Sequence, residues 1–267
     1  IPLDEERDDE VEKTPANSNE RAFVRDLRAQ CDEDRDAERL RALDSYVLAG
    51  AIKLYRRHHG VPGDFRHHTM LVHESVKQAE HAALAADFEK LWRKAGYSQL
   101  LGLARLKELW DSDFRVVSAY RAEPGTPAPD SFDDLEEFVG AACDLIGTGI
   151  SPVIVVNGAA DKDYLQEPLD FQERAVWKIL VGGTKLSRGF TVEGLTTTYY
   201  TRRTAQADTL MQMGRWFGFR RGYRDLVRLF IGREVPGPGG TVVDMYAAFE
   251  AIVGDEEELS LIHISEP

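Results

Sequence analysis

The chain has 267 residues, 43% of them hydrophobic, which is enough for one large domain or two small ones with a real core. Its two cysteines, Cys31 and Cys143, lie far apart with no partnered histidine spacing, so neither a disulfide framework nor a zinc site is indicated. No apolar run approaches the roughly 20 residues of a membrane helix, and IPLDEERDDE is the opposite of a basic signal peptide, so no membrane partner is expected and a reducing cytoplasm is the expected location.

Residues 1–36 are acidic, poor in aromatics and broken by TPANSN, which predicts a disordered linker from an upstream domain. Residues 37–258 read as one domain. In Leu40 to His59, Leu43, Val47, Ala51, Leu54 and Tyr55 recur at spacings of three and four, and Gly60 with Pro62 ends the pattern, so a helix is predicted. Thr69 to His73 is a short apolar run of the kind a buried parallel strand shows. Val76 to Lys94, Gln99 to Trp110 and Ser131 to Ile146 predict three further helices. Pro152 to Asn157, Trp177 to Val181, Thr197 to Tyr200 and Leu226 to Ile231 complete a set of short apolar strands. Such alternation predicts an α/β fold whose parallel sheet is covered on both faces.

The formal charge of -13 is unevenly spread. The first twenty residues hold eight acids against two bases, whereas Val176 to Arg233 holds eleven lysines and arginines against three acids. Local potential steers polyanions, so the basic block keeps DNA open as a partner. Within it, VGGTKLSRGFTVEGLTTTYYTRRTAQADTLMQMGRWFGFRR orders a strand, a glycine turn at Gly182 and Gly183, a second strand and an arginine-bearing helix that Asp208 can cap. Arg188 has the chemistry to pair with phosphate.

These strings carry a resemblance. Residues 181–195 resemble motifs V and Va, and residues 209–221 motif VI, of the second RecA-like lobe of superfamily-two helicases and translocases; HHTMLVHES is similar to the motif IV strand that opens this lobe. Within that superfamily, KLSRGFTVEGL and LMQMGRWFGFRRGY resemble the Z-one (Z1) domain, a bacterial family named as an endonuclease and found beside helicase modules in restriction and phage-defence proteins. The resemblance implies a parallel-sheet RecA-like lobe, of P-loop NTPase type, with a helical insertion. It also implies that ATP with magnesium is held mainly by an upstream lobe, because no G-x-x-x-x-G-K-[ST] occurs here. The expected partners are DNA and nuclease or other defence-system subunits.

Carried over position by position, the resemblance makes Arg215, Arg220 and Gln212 the catalytic candidates, with arginine stabilising the charge that spreads over the transferring phosphoryl oxygens. Gln-x-Gly-Arg is one residue shorter than the common pattern and the Arg215 to Arg220 step two longer, so which arginine is the finger stays open. Gly183, Arg188, Gly189 and Thr191 fall on nucleotide-binding positions; Thr191 replaces the usual acid, for which Glu193 is a substitute. Thr184 and Lys185 are candidates for a nucleic-acid backbone contact, and Tyr223, in the RRGYRD turn, is the aromatic expected to be exposed for base stacking.

Two rival readings remain: the domain is itself an endonuclease, or it is a non-catalytic DNA-binding or regulatory module. For magnesium-dependent cleavage, Asp161, Asp163 and Glu167 near Lys162 are the loose candidates. His67, His68 and His73 flank the first predicted strand without convergent carboxylates, so no metal site is expected and they read as solvated or capped. Residues 259–267, with LSLIHISEP, resemble the translation of a transposase mosaic-end sequencing adapter and are expected not to belong to the fold.

Overall fold

A computed structural model describes residues 12–74, 78–149, 151–156, 170–182, 192–201, 221–236, 239 and 241–251. Six strands form one sheet: β1 (Val24–Leu27), β2 (His68–His73), β3 (Val153–Val156), β4 (Trp177–Gly182), β5 (Leu195–Tyr200) and β6 (Arg228–Gly232). Their order is β1-β6-β5-β2-β4-β3, and every pairing is parallel. A two-stranded antiparallel ribbon, β7 (Val235–Pro236) with β8 (Val242–Val243), follows β6.

Side chains alternate across the sheet, as strand geometry requires. Met70 and Val72 of β2, Ile179 and Val181 of β4, Tyr199 of β5 and Phe230 of β6 face a core shared with the helices, while Leu71, Leu180, Tyr200, Leu229 and Ile231 face the other side. That second side is closed by Phe171, Val192 and the helical residues 245–251. Strands β2, β4 and β5 are buried along their whole length; in β4 this reads in sequence as an apolar run without alternation, whereas β5 buries Thr196, Thr197 and Thr198.

The helical face is organised by α2 (Asp32–His58), the longest helix among the described residues. Three acids fill its first turn and Arg56, Arg57 and His58 its last, each set complementing the helix dipole; Cys31 caps the start and Gly60, at φ 72°, follows the end. Between β2 and β3 the chain is helical for much of residues 78–147: α3 (Gln78–Ala95), α4 (Leu100–Leu109), a π-helical turn over Trp110–Phe114, α5 (Arg115–Arg121) and α6 (Glu136–Gly147). The fold is α/β with a six-stranded, all-parallel sheet and helices, an architecture compatible with a RecA-like fold.

One boundary is corrected. Within the segment read as a disordered linker, Asn19–Phe23 form the short helix α1 and Val24–Leu27 the edge strand β1, paired with β6 from Val24↔Leu229 to Leu27↔Gly232. Only Val24 and Leu27 of that strand are buried, so no apolar run announces it. Its polar residues are held by ion pairs instead: Arg25 to Asp113, and Asp26 to Arg233. The first five residues of α2, Asp32 to Asp36, likewise fall in the acidic segment, where their charge masks their helical pattern.

Candidate functional site

In open parallel sheets, ligands bind at the carboxyl ends of strands where the chain order reverses. Here the chain places β3 and β4 on one side of β2 and β5 and β6 on the other, so the reversal lies at β2 and its neighbours. The pairings His73↔Tyr200, Val72↔Val181 and Val156↔Gly182 bring the carboxyl ends of β2, β3, β4 and β5 to one edge. Thr201, just beyond β5, donates its backbone N–H to the His73 carbonyl at 3.0 Å, extending the pairing past the strand ends.

A charged cluster stands at this edge. Glu74 follows β2 directly, and Arg39 of α2 grips it with two parallel bonds, Nε to Oε1 at 2.7 Å and Nη2 to Oε2 at 2.6 Å. The same guanidinium reaches Asp36 and Asp87 at 3.4 Å and lies over the Phe88 ring at 5.8 Å. Tyr199, fully buried beside this cluster, has its phenol pKa pushed up by burial first and by the Glu74 charge next. His73 stands at the same edge, edge-on to the Tyr200 ring with centroids 6.0 Å apart.

The residues singled out from sequence divide sharply. Gly183, Thr184, Lys185, Arg188, Gly189, Thr191, Gln212, Arg215 and Arg220 lie outside the described residues, as do Asp161, Asp163 and Glu167. Their segments nevertheless begin at known places: residues 183–191 follow Gly182 at the carboxyl end of β4, and residues 202–220 follow Thr201 beyond β5.

Glu193 lies at the opposite, amino-terminal edge. It is 3.3 Å from the Nε2 atom of His67 and accepts from Gln172 at 3.3 Å, while its backbone carbonyl accepts from the Thr69 hydroxyl at 2.9 Å. Gly194, the first step into β5, approaches the His67 backbone so closely that a Cβ there would lie 2.3 Å from the carbonyl carbon and oxygen. Glu193 is therefore not gathered with the carboxyl-edge cluster.

Tyr223 is corrected outright. The ring is 2% exposed, lying beneath the Lys53 ammonium at 4.0 Å and 6.3 Å from Phe65. Gly222, at φ 84°, turns the chain inward at this point, so the residue expected to offer a free stacking face is part of the core. The histidines are corrected as well: His67, His68 and His73 are all buried. The His68 ring stacks on Tyr46 at 4.4 Å, its Nε2 is 2.8 Å from the Tyr46 carbonyl, and the Tyr46 hydroxyl donates back to the His68 carbonyl at 3.0 Å. Burial first, and the nearby Lys53 charge next, hold the His68 pKa well below the usual range, so this ring is neutral and structural. Among the described residues no group of three or more histidine, cysteine or acidic side chains is arranged to hold a metal ion.

Arg39 escaped sequence reasoning because it lies 35 residues from Glu74 and outside every motif string, whereas Glu74 itself stands in HHTMLVHES. The signal that existed was positional: an acid directly after the strand of HHTMLVHES. That strand now has its place at the centre of the sheet, and a family model for the Z1 domain matches residues 40–262. The chain belongs to the Z1 domain family. No curated protein and no solved structure matches it. In this Z1 domain the match begins inside α2 at Leu40, one residue beyond Arg39, and spans β2 to β6.

Proposed function

We propose that this Z1 domain is the second RecA-like lobe of a DNA-acting superfamily-two ATPase, working in a bacterial restriction or phage-defence protein and supplying arginines to ATP held by another lobe. One observation carries the reading. The two segments that resemble motifs V and VI leave the sheet from the carboxyl ends of β4 and β5, on either side of the β2 strand that resembles motif IV. Fold-level analogy supplies the rest of the warrant.

The described edge is chemically compatible with a polyphosphate. An acid directly after β2 would repel phosphate if its charge were free, but Glu74 is neutralised by the two-point grip of Arg39. Gly182 ends β4 without a side chain, so the backbone there is open to close approach. In this reading Gly183, Arg188, Gly189 and Thr191 contact nucleotide, and Thr184 and Lys185 contact the DNA backbone. Arg215 or Arg220, with Gln212 beside them, faces the transferring phosphate. Magnesium-bound ATP supplies the phosphoryl chemistry; this chain's part is positioning and charge stabilisation.

The test uses the full-length protein. Arg215→Ala and Arg220→Ala are each assayed for DNA-stimulated ATP hydrolysis and for DNA binding. Loss of about a thousandfold in turnover for one of them, with DNA affinity retained, is the expected result for a finger arginine. Unchanged hydrolysis in both variants would sink the proposal.

A further inference from the structure

A second site lies away from the carboxyl edge, on the helical face beside the start of β1. A cleft of about 560 Å³ opens there, lined by the guanidinium-bearing Arg21, Arg25, Arg41 and Arg105 and by an apolar wall that includes Leu109 and Val116. That volume falls in the range of small-molecule sites, and the pairing of an apolar wall with a few charged groups is their usual composition.

Charge bookkeeping shows the cleft to be net positive. Arg105 is spent on Asp44, with Nε and Nη2 reaching the two carboxylate oxygens at 3.1 and 3.2 Å. Asp113, in the π-helical turn, is shared by two cations: Arg25 at 2.7 and 2.5 Å and the buried Arg228 at 3.0 and 2.8 Å. One carboxylate between two guanidinium groups leaves a surplus positive charge. Arg21 and Arg41 have no carboxylate partner among the described residues. Glu38 feels the Arg41 charge, and that carboxylate accepts the Arg28 backbone N–H at 2.6 Å. Glu108 is the one lining acid without an ion pair among the described residues, and it does not balance the surplus.

The floor of the cleft is also held rigidly. The π-helical turn projects Asp113 across to β1 and β6, and Arg228 is fixed over the Phe114 ring at 4.2 Å. Single π turns inside helices recur at functional sites. Arg21 and Arg41, the latter over the Phe230 ring at 6.0 Å, carry no carboxylate partner among the described residues, and beside a fixed, positively charged floor they suit an anion; arginine forks match phosphoryl oxygens with two bonds at once.

We propose that this cleft binds a small phosphate-bearing ligand of nucleotide size, its phosphoryl group between Arg21 and Arg41 and its less polar part against Leu109 and Val116. The ligand chemistry is that of a phosphoryl anion, whether it comes from an inorganic phosphate or from a nucleotide.

The full chain is titrated calorimetrically with inorganic pyrophosphate and, separately, with adenosine diphosphate. Saturable binding of one equivalent at this cleft is expected, with the Arg21→Ala, Arg41→Ala double variant losing about tenfold or more in affinity and Glu108→Gln gaining affinity. Equal affinity for the two probes assigns recognition to the phosphoryl group alone; tighter diphosphate nucleotide binding assigns a share to the apolar wall. Lys107→Ala on the same helix, outside the cleft, serves as the control for general charge and should leave binding unchanged. The loss in the Arg21→Ala, Arg41→Ala variant is read by calorimetry alone, so it stands or falls independently of the ATP-hydrolysis assay that tests the ATPase reading. Absence of saturable binding by either probe, or affinity unchanged in the double variant, overturns the proposal. Both arginines are exposed, so the double variant should remain folded, and a far-UV spectrum checks it.

Discussion

Arg56 and Asp225 form a two-point ion pair, Nη1 to Oδ1 and Nη2 to Oδ2 both at 2.7 Å, with side chains 0% and 1% exposed. The pair ties the end of α2 to the turn before β6, and its remaining capacity is taken up: Nη1 donates to the Gly222 carbonyl at 2.9 Å and the Ser118 hydroxyl donates to Oδ2 at 2.5 Å. Removing one partner leaves a buried charge without compensation. Arg56→Met or Asp225→Leu alone should cost about 3–5 kcal/mol of unfolding free energy. The double variant should cost less than the two singles combined, by more than about 1 kcal/mol, in a urea-denaturation cycle. Simple additivity would mean that the pair is not coupled as its geometry indicates.

Asp113 gives the fold a pH dependence with a definite sign. Burial on its own would raise this carboxyl's pKa, but the Arg228 and Arg25 charges outweigh it and hold the group down to about 2. A folded pKa below the unfolded value, about 3.9, means stability that is complete above the unfolded pKa and lost as pH falls through the folded one. The window is therefore from about pH 4 down to about pH 2, and the contribution is on the order of 2 kcal/mol. Asp113→Asn should be less stable than the parent at pH 7, and the two stability curves should converge as pH falls through that window. Parallel curves down to pH 2 would refute the assignment.

Gly194 links a motif string to a packing constraint. It stands in KLSRGFTVEGL, at φ 71°, with the backbone of His67 where its Cβ would be. Its carbonyl also accepts the Thr69 N–H at 3.0 Å, which seats β5 beside β2 at the start of their ladder. Gly194→Ala combines an unfavourable φ with a backbone clash that no rotamer relieves, so a loss of more than about 2 kcal/mol is expected, read as a lowered denaturation midpoint. Near-neutral behaviour would show that the two strands can move apart here without penalty.

What the sequence disclosed follows from what was local in it. The central strands were legible because burial on both faces turns each into a short apolar run, and the later turns of α2 because Leu43, Val47 and Ala51 repeat at helical spacing. Strand β1 was hidden because an edge strand held by Arg25 and Asp26 ion pairs needs little apolar content. Tyr223 misled because its polar neighbours look like a surface turn, whereas Gly222 folds the ring under Lys53. The ion pairs were invisible for a different reason: Arg25 and Asp113 are 88 residues apart, and Arg56 and Asp225 are 169 apart, so no local pattern encodes them.

The Arg39–Glu74 pair at the carboxyl edge gives the last prediction, because its geometry distinguishes charge from shape. A lysine at position 39 would keep the positive charge but could not reproduce the parallel bonds to Oε1 and Oε2, nor reach Asp87 while lying over Phe88. Methionine would fill similar volume and leave Glu74, which is 15% exposed, without its cation. Thermal unfolding should rank the parent above Arg39→Lys and Arg39→Lys above Arg39→Met, with the lysine variant losing about 1.5–3 kcal/mol for its charge-assisted bonds. Under the ATPase function proposed above, a freed Glu74 would repel phosphate, and Arg39→Met in the full-length protein should raise KM for ATP more than it lowers DNA affinity. Equal stability of the lysine variant and the parent would mean that the fork geometry contributes nothing beyond its charge.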